Sequence, residues 1–144
     1  MNLSEHFTLD EALFSSTAAR LSISNDPDTN QIFAMKIAAT GMEQVRSLLN
    51  QPIHVDSWFR CPELNEKVGG AKDSAHMQGY AVDFICPAAR APAAIVQAIA
   101  ISSIQFDQLI QEGTWVHISF DPLLRRRMLT AHFGPGGTTY TKGV

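Results

Sequence analysis

The sequence predicts an α+β fold with helices packed on a central antiparallel sheet, and three observations carry that reading. Helical periodicity dominates the chain up to Asn50, strand-like alternation of β-branched residues takes over after Pro52, and Glu112-Gly113-Thr114 separates two apolar runs as a hairpin turn does. Helices first and strands afterwards favour α+β over a doubly wound arrangement, in which the two alternate. A length of 144 residues fits one domain, since domains commonly run to about 100–150 residues.

Thr8 and Glu11 stand at capping-box spacing, with Phe7 placed as a staple residue, so a short helix is expected to begin near Leu9. Ser24-Asn25-Asp26-Pro27-Asp28 reads as a linker. From Asn30 to Asn50 the apolar residues Ile32, Phe33, Ile37, Ala38, Met42, Val45, Leu48 and Leu49 recur at spacings of three and four, the pattern of an amphipathic helix. Pro52 ends it, and Ile53 to Trp58 alternates as a strand. Cys61-Pro62, Gly69-Gly70 and Gly79 mark residues 60–80 as an irregular loop around a short helix over Glu63 to Val68. Ala81 to Cys86 is strand-like, and Ala89 to Ser102, rich in Ala and Ile with Pro92 in its first turn, predicts a buried helix. Gln105 to Gln111 and Trp115 to Phe120 form the two arms of the hairpin. Arg126 to Phe133 is a last strand, and Gly134 to Val144 is expected to be a loose tail.

Composition excludes several functions. Eleven Lys and Arg against 14 Asp and Glu give a net charge of −3, without the cationic excess that phosphate neutralisation demands, so no nucleic-acid partner is expected. Arg125-Arg126-Arg127 is a basic run of the kind that usually forms a solvated face. Two cysteines without CxxC spacing support neither a thiolate zinc site nor a disulfide scaffold, and free thiols are expected. The longest uncharged run, Ala91 to Phe106, is interrupted by Pro92, Gln97, Ser102, Ser103 and Gln105 and falls short of the roughly 18 apolar residues a membrane span needs. The first residues carry Glu5, Asp10 and Glu11 and no Lys or Arg before Arg20, unlike a secretory leader. The expected product is therefore cytoplasmic as synthesised, not membrane-inserted, and monomeric; a target outside the membrane requires delivery by something else.

The chemistry concentrates in Ser74-Ala75-His76-Met77-Gln78-Gly79-Tyr80-Ala81-Val82-Asp83, followed 34 residues after Asp83 by His117 in Trp115-Val116-His117. A zinc ion needs its ligand atoms about 2.0–2.2 Å away. On a helix, His76 and Asp83 would stand about 10.5 Å apart along the axis, too far for one ion. The segment must fold back if both are ligands, and Gly79, lacking a Cβ, permits the reversal. His117 on a hairpin strand supplies a third ligand and leaves a fourth position for water. The residues alone equally allow a surface histidine at 76, a strand-end cap at Asp83 and a satisfied core histidine at 117.

The ten-residue run matches the pattern S-x-H-x-x-G-x-A-x-D at Ser74, His76, Gly79, Ala81 and Asp83, and W-x-H is matched at Trp115 and His117. Upstream, Ser57-Trp58-Phe59-Arg60-Cys61-Pro62-Glu63-Leu64-Asn65 is similar to S-G-Y-R-S-x-x-x-N, and Val68-Gly69-Gly70-Ala71 to V-G-G-A/S. In these motifs the sequence resembles the zinc D-alanyl-D-alanine carboxypeptidases and L-alanoyl-D-glutamate endopeptidases, a family that includes phage endolysins and shares its fold with Hedgehog domains. The resemblance covers about residues 5 to 130. It implies Zn²⁺ held by His76, Asp83 and His117, a stem peptide of bacterial peptidoglycan as substrate, and Arg60 on the substrate carbonyl or developing oxyanion. A guanidinium suits that task because burial does not neutralise it.

The family's general base is a Glu or Asp three residues before the last histidine, a position held here by Thr114; Glu112 is the nearest carboxylate and the candidate base, with Asp107 and Asp56 as substitutes. Ser74 is expected to bind substrate or to cap its own loop, and Trp115 to wall the cleft or to pack in the core. His54 and His132 fall outside the motif and read as structural. Trp58-Phe59 and Cys61 depart from the family's Gly-Tyr and Ser beside Arg60. The resemblance implies a peptidoglycan peptidase of phage, prophage or bacterial origin; Thr114 keeps open a zinc-bearing but inactive Hedgehog-like interaction module.

Overall fold

The computed structural model describes residues 1–89 and 91–144. In chain order its elements are α1 (Leu9–Leu13), α2 (Ser16–Leu21), α3 (Thr29–Leu49), β1 (His54–Ser57), α4 (Pro62–Lys67), a 3₁₀ turn (Ala75–Met77), β2 (Ala81–Ile85), α5 (Pro92–Ala100), β3 (Gln108–Gln111), β4 (Val116–Ser119), β5 (Arg127–Gly134) and β6 (Gly137–Lys142). None of the described helices is long and apolar enough to cross a membrane.

Local chemistry sets the helix ends. Thr8 Oγ1 accepts from Glu11 N at 3.1 Å to start α1, and Phe7 beside it is buried. Asp28 and Gln31 form a reciprocal capping box that starts α3, and Asn50 ends it with a left-handed φ of 51°. Pro92 opens α5, as its place in the sequence predicts. The expected helix over Ala89–Ser102 includes Arg90, which lies outside the described residues. The sequence reading missed α2, capped by Ser15, because six residues are too few to display a helical period.

Six strands form one sheet in the order β1-β2-β4-β3-β5-β6. Every neighbouring pair is antiparallel except β3 and β5, which run parallel, so the expected antiparallel sheet is in fact mixed. The C-terminal segment expected to be loose is the second correction. Gly137–Lys142 pairs with β5 from Leu129↔Lys142 to Gly134↔Gly137, closing a hairpin around Pro135-Gly136. The glycines of GPGG are turn chemistry, and Thr138-Thr139-Tyr140-Thr141 has the β-branched and aromatic character of a strand.

Because side chains alternate across a strand, the sheet has two chemically distinct faces. One presents Val82, Phe84, Leu109, Val116 and Ile118 to Met35 and Met42 of α3 and to Ile95 and Ile99 of α5, all in one buried core. The other presents Asp83, His117, Ile110 and Gln108 to an open cleft.

The presumed linker is a clasp. Asn25 Nδ2 donates to the carbonyls of Leu13 and Phe59, each at 3.0 Å, and its Oδ1 accepts from Cys61 N at 2.8 Å, tying the α1–α2 corner to the backbone on both sides of Arg60. Asn25→Ala removes three hydrogen bonds and is expected to lower unfolding free energy in urea by about 2–4 kcal/mol. A change below about 0.5 kcal/mol, the range of an uninvolved surface position, would refute this role.

Candidate active site

His76 is set by the backbone around it. Ser74 Oγ accepts from His76 N at 3.2 Å and caps the 3₁₀ turn, while Gly79 reverses the chain with a φ of +97°. A Cβ on Gly79 would stand 2.8 Å from the Gln31 carbonyl, so the loop packs on α3 only through glycine. Trp58 clamps this loop twice. Its carbonyl accepts from His76 Nδ1 at 2.6 Å, and its indole Nε1 donates to the Gly79 carbonyl at 2.9 Å. With Nδ1 donating, the His76 tautomer carries its lone pair on Nε2. That atom is buried and has no hydrogen-bond partner among the described residues.

The strands bring the other two ligand candidates to it. Asp83 on β2 pairs directly with His117 on β4. Asp83 Oδ1 lies 3.3 Å from His76 Nε2 and 2.8 Å from His117 Nδ1, and the two imidazole centroids are 5.2 Å apart. The ligand atoms of all three residues fall within 4.8 Å of one another. Burial lowers the pKa of His76 against the pull of Asp83, which disfavours the protonated ring. Burial opposes ionisation of Asp83, but the electrostatic pull of His76 and the hydrogen bond from His117 outweigh it and hold the carboxyl far below the ordinary range. Two neutral-capable imidazoles, a carboxylate and an unpartnered buried nitrogen fit a tetrahedral zinc site with one position left for water. A second group, Glu5, His6 and Glu43, also converges, but there His6 Nδ1 meets Glu43 Oε2 at 2.8 Å and pins the N-terminus to α3.

The remaining candidates line the same cleft, a space of about 640 Å³. Arg60 Nη2 lies 3.9 Å from Asp83 Oδ2 and Nη1 lies 3.3 Å from Asn65 Oδ1, while Nε is buried and unpartnered. Asn65 also donates to the Ala71 carbonyl, and a Cβ on Gly70 would fall 2.0 Å from Asn65 Oδ1 and 2.9 Å from Arg60 Nη1, so the Gly69-Gly70 turn makes room for this arginine. Glu112, Trp115 and Ser74 line the cleft as well. Glu112 sits in the turn between β3 and β4, its N donating to the Trp115 carbonyl at 3.0 Å; burial raises its pKa, with His117 opposing and Asp83 adding to the rise. Thr114 is exposed at the turn and outside the cleft lining. Trp115 packs against Phe133 with centroids 6.2 Å apart. A second hollow of about 340 Å³ shares Arg60, Asp83 and Trp115 with the first and continues past them to Ser15 and Thr17 at the start of α2. The two hollows thus meet at Asp83, Arg60 and Trp115, with His76 and His117 lining the first.

The two substitutes named for Glu112 stand in different surroundings. Asp107 lines the cleft but is consumed by Arg125, and Asp56 borders only the second hollow. His54 and His132 lie outside the lining of either hollow, and Cys61 and Cys86 are free thiols. The sequence assigned no role to Trp58 and Asn65, though both fall in the motif around Arg60, because their hydrogen bonds leave no spacing to read, and Tyr140 of β6, which lines the cleft, was hidden by the reading of the C-terminus as loose.

The cluster makes a direct expectation. Zinc at a concentration 100 times its dissociation constant stabilises a one-site protein by about 2.7 kcal/mol, so the melting temperature is expected to rise with added zinc and to fall with a chelator. His76→Ala and Asp83→Ala are expected to abolish that rise and the single bound equivalent measured by atomic absorption. Unchanged zinc content in both variants would remove the site.

A family model described as Peptidase M15 matches residues 5–119, and no curated protein matches the chain. The match spans α1 through β4, which includes His76, Asp83, His117, Arg60 and Glu112, and stops before β5 and β6. The chain belongs to the Peptidase M15 family, and with that family it is a metallopeptidase, a hydrolase of amide bonds.

Proposed function

We propose that this protein is a zinc peptidase that hydrolyses an amide bond in the stem peptides of bacterial peptidoglycan. The observation that carries the reading is the buried, unpartnered Nε2 of His76 facing Asp83 Oδ1, with His117 on the same carboxylate oxygen, where two hollows meet. His76, Asp83 and His117 would hold the ion; when bound, zinc supplies Lewis acidity and lowers the pKa of water toward about 7. The two arms of the cleft favour a substrate that continues on both sides of the scissile bond, as in cleavage between L-Ala and D-Glu.

The protein's own groups divide the remaining work. Glu112 takes the proton from the attacking water and passes it to the leaving amine. Its raised pKa brings it closer to neutrality, where a group both accepts and releases a proton readily. Arg60, unable to lose its charge and with Nε free, holds the substrate carbonyl and the negative charge that develops on it. Asn65 orients that guanidinium, Ser74 holds the His76 loop and borders the substrate, and Trp115 walls the cleft where its two arms meet. Since the resemblance extends to phage endolysins, the setting we propose is wall degradation during host lysis. Co-expression with a membrane pore is then expected to lyse a culture in a His76-dependent way.

Digestion of purified peptidoglycan followed by mass spectrometry of the fragments tests the reaction. New amino termini in stem peptides, lost on chelation and with His76→Ala and restored by zinc, are expected. Zinc binding without hydrolysis would favour the inactive interaction module, and hydrolysis indifferent to chelation would overturn the metal-dependent reading. Glu112→Gln is expected to lower kcat by about 10²- to 10⁴-fold with zinc retained. Because the base acts deprotonated, kcat/KM is expected to fall as pH drops through a raised Glu112 pKa, above the usual carboxylate value. A variant as active as wild type would exclude Glu112 as base.

A further inference from the structure

The three arginines after Leu124 have different fates. Arg125 donates from Nε and Nη2 to the two carboxylate oxygens of Asp107, at 2.7 and 2.9 Å. Arg126 donates from Nη2 to the Ser102 carbonyl at 3.0 Å and lies 4.6 Å from the centroid of Phe106. Arg127 has its backbone N bonded to the Asp107 carbonyl at 2.9 Å, while its side chain is exposed, lines the cleft and makes no ion pair or hydrogen bond to any described residue. Two of the three charges serve the fold, and the third faces the cleft unspent.

The register locates this charge. His117 pairs with Ile110, Ile110 with Leu129, and Arg127 lies two residues along β5 from Leu129. With strands about 4.8 Å apart and a rise of about 3.3 Å per residue, the Arg127 and His117 Cα atoms are separated by about 12 Å. An extended peptide advances about 3.5 Å per residue, so Arg127 stands beside the part of a bound peptide that lies a few residues from the scissile amide. The rest of this wall carries acids, Asp107 already neutralised and Asp121 and Glu112 free of ion pairs among the described residues. Of the arginines lining this cleft, Arg125 is paired with Asp107 and Arg60 stands at Asp83, so Arg127 is the one whose charge has no partner among the described residues.

We propose that Arg127 is a specificity residue that binds a carboxylate of the peptide substrate, on a wall added by the β5–β6 hairpin beyond the residues matched by the family model. The inference rests on the peptidase reading and deepens it. Two sources offer the same chemistry: the α-carboxyl of a γ-linked D-glutamate, or a carboxylate at the peptide's C-terminus. A guanidinium binds either through paired, charge-assisted hydrogen bonds, whereas an amide of the same shape offers one acceptor and no charge.

Four synthetic stem peptides, with each of these carboxyls free or amidated, separate the sources when assayed with the zinc-loaded protein. Wild type is expected to prefer the free acid at one of the two positions by about tenfold in kcat/KM, carried by KM. Arg127→Met is expected to erase that preference and Arg127→Lys to keep part of it. Equal preference in wild type and Arg127→Met, or no preference at either position, would overturn the proposal. Calorimetric titration with the same peptides keeps the two readings apart. Binding that distinguishes acid from amide through Arg127, without turnover, would sustain this assignment while sinking the peptidase reading; absence of binding together with absence of turnover would overturn both.

Discussion

A carboxylate taken out of water is tolerated only if opposite charge and hydrogen bonds replace its hydration, and Asp83 organises the site around that requirement. Its side chain is 15% exposed and is approached by His76, His117 and Arg60 from three separate segments. Each of these arrives through backbone structure: a 3₁₀ turn for His76, the β2–β4 register for His117, and the stretch after β1 for Arg60. The same convergence that keeps Asp83 ionised presents two imidazoles and a carboxylate to one point. Charge compensation and the candidate metal site are therefore one arrangement, with the buried Nε2 of His76 as the valence that described protein atoms leave open.

That arrangement depends on a rigid surround. Trp58 is fully buried, so the two hydrogen bonds it makes to the His76–Gly79 loop are fixed by the core and not by the loop itself. Orientation of a ligand imidazole through its second nitrogen by a backbone carbonyl is a common means of fixing both tautomer and ring plane. Gly79 and Gly70 belong to the same surround for a steric reason, because a Cβ at either would collide with α3 or with the Arg60–Asn65 pair. The cost is a set of positions that accept almost no substitution, close to the chemistry and with none of its functional groups.

The period of two along each strand divides structure from chemistry. Leu109, Val116 and Ile118 point into the core, while their neighbours Ile110, His117 and Ser119 point to the cleft, so one hairpin contributes to both. Extension of the sheet by β5 and β6 lengthens the cleft wall without disturbing the cluster, since the added strands join at β3 and not at β2 or β4. The proposed ligands Asp83 and His117 thus lie on β2 and β4, and the proposed specificity residue Arg127 lies on a hairpin that also brings Leu129 and Tyr140 to the cleft.

The sequence by itself determined what local forces decide. Capping spacing announced α1, a long apolar stripe announced α3, and the Glu112-Gly113-Thr114 turn announced the central hairpin, because each depends on interactions between residues close along the chain. It also brought forward His76, Asp83 and His117 by residue type and spacing and, through the family resemblance, Arg60 and Glu112, the last displaced from the position that Thr114 holds. Only the tertiary structure decided which charges are spent and which are free. It alone showed Asp107 absorbed by Arg125, Asn25 as a clasp instead of a linker, Trp58 holding the His76 loop, and the parallel pairing that carries β5 and β6 to the cleft. These depend on contacts between residues distant in the chain, and long-range pairing leaves no period or spacing in a single sequence.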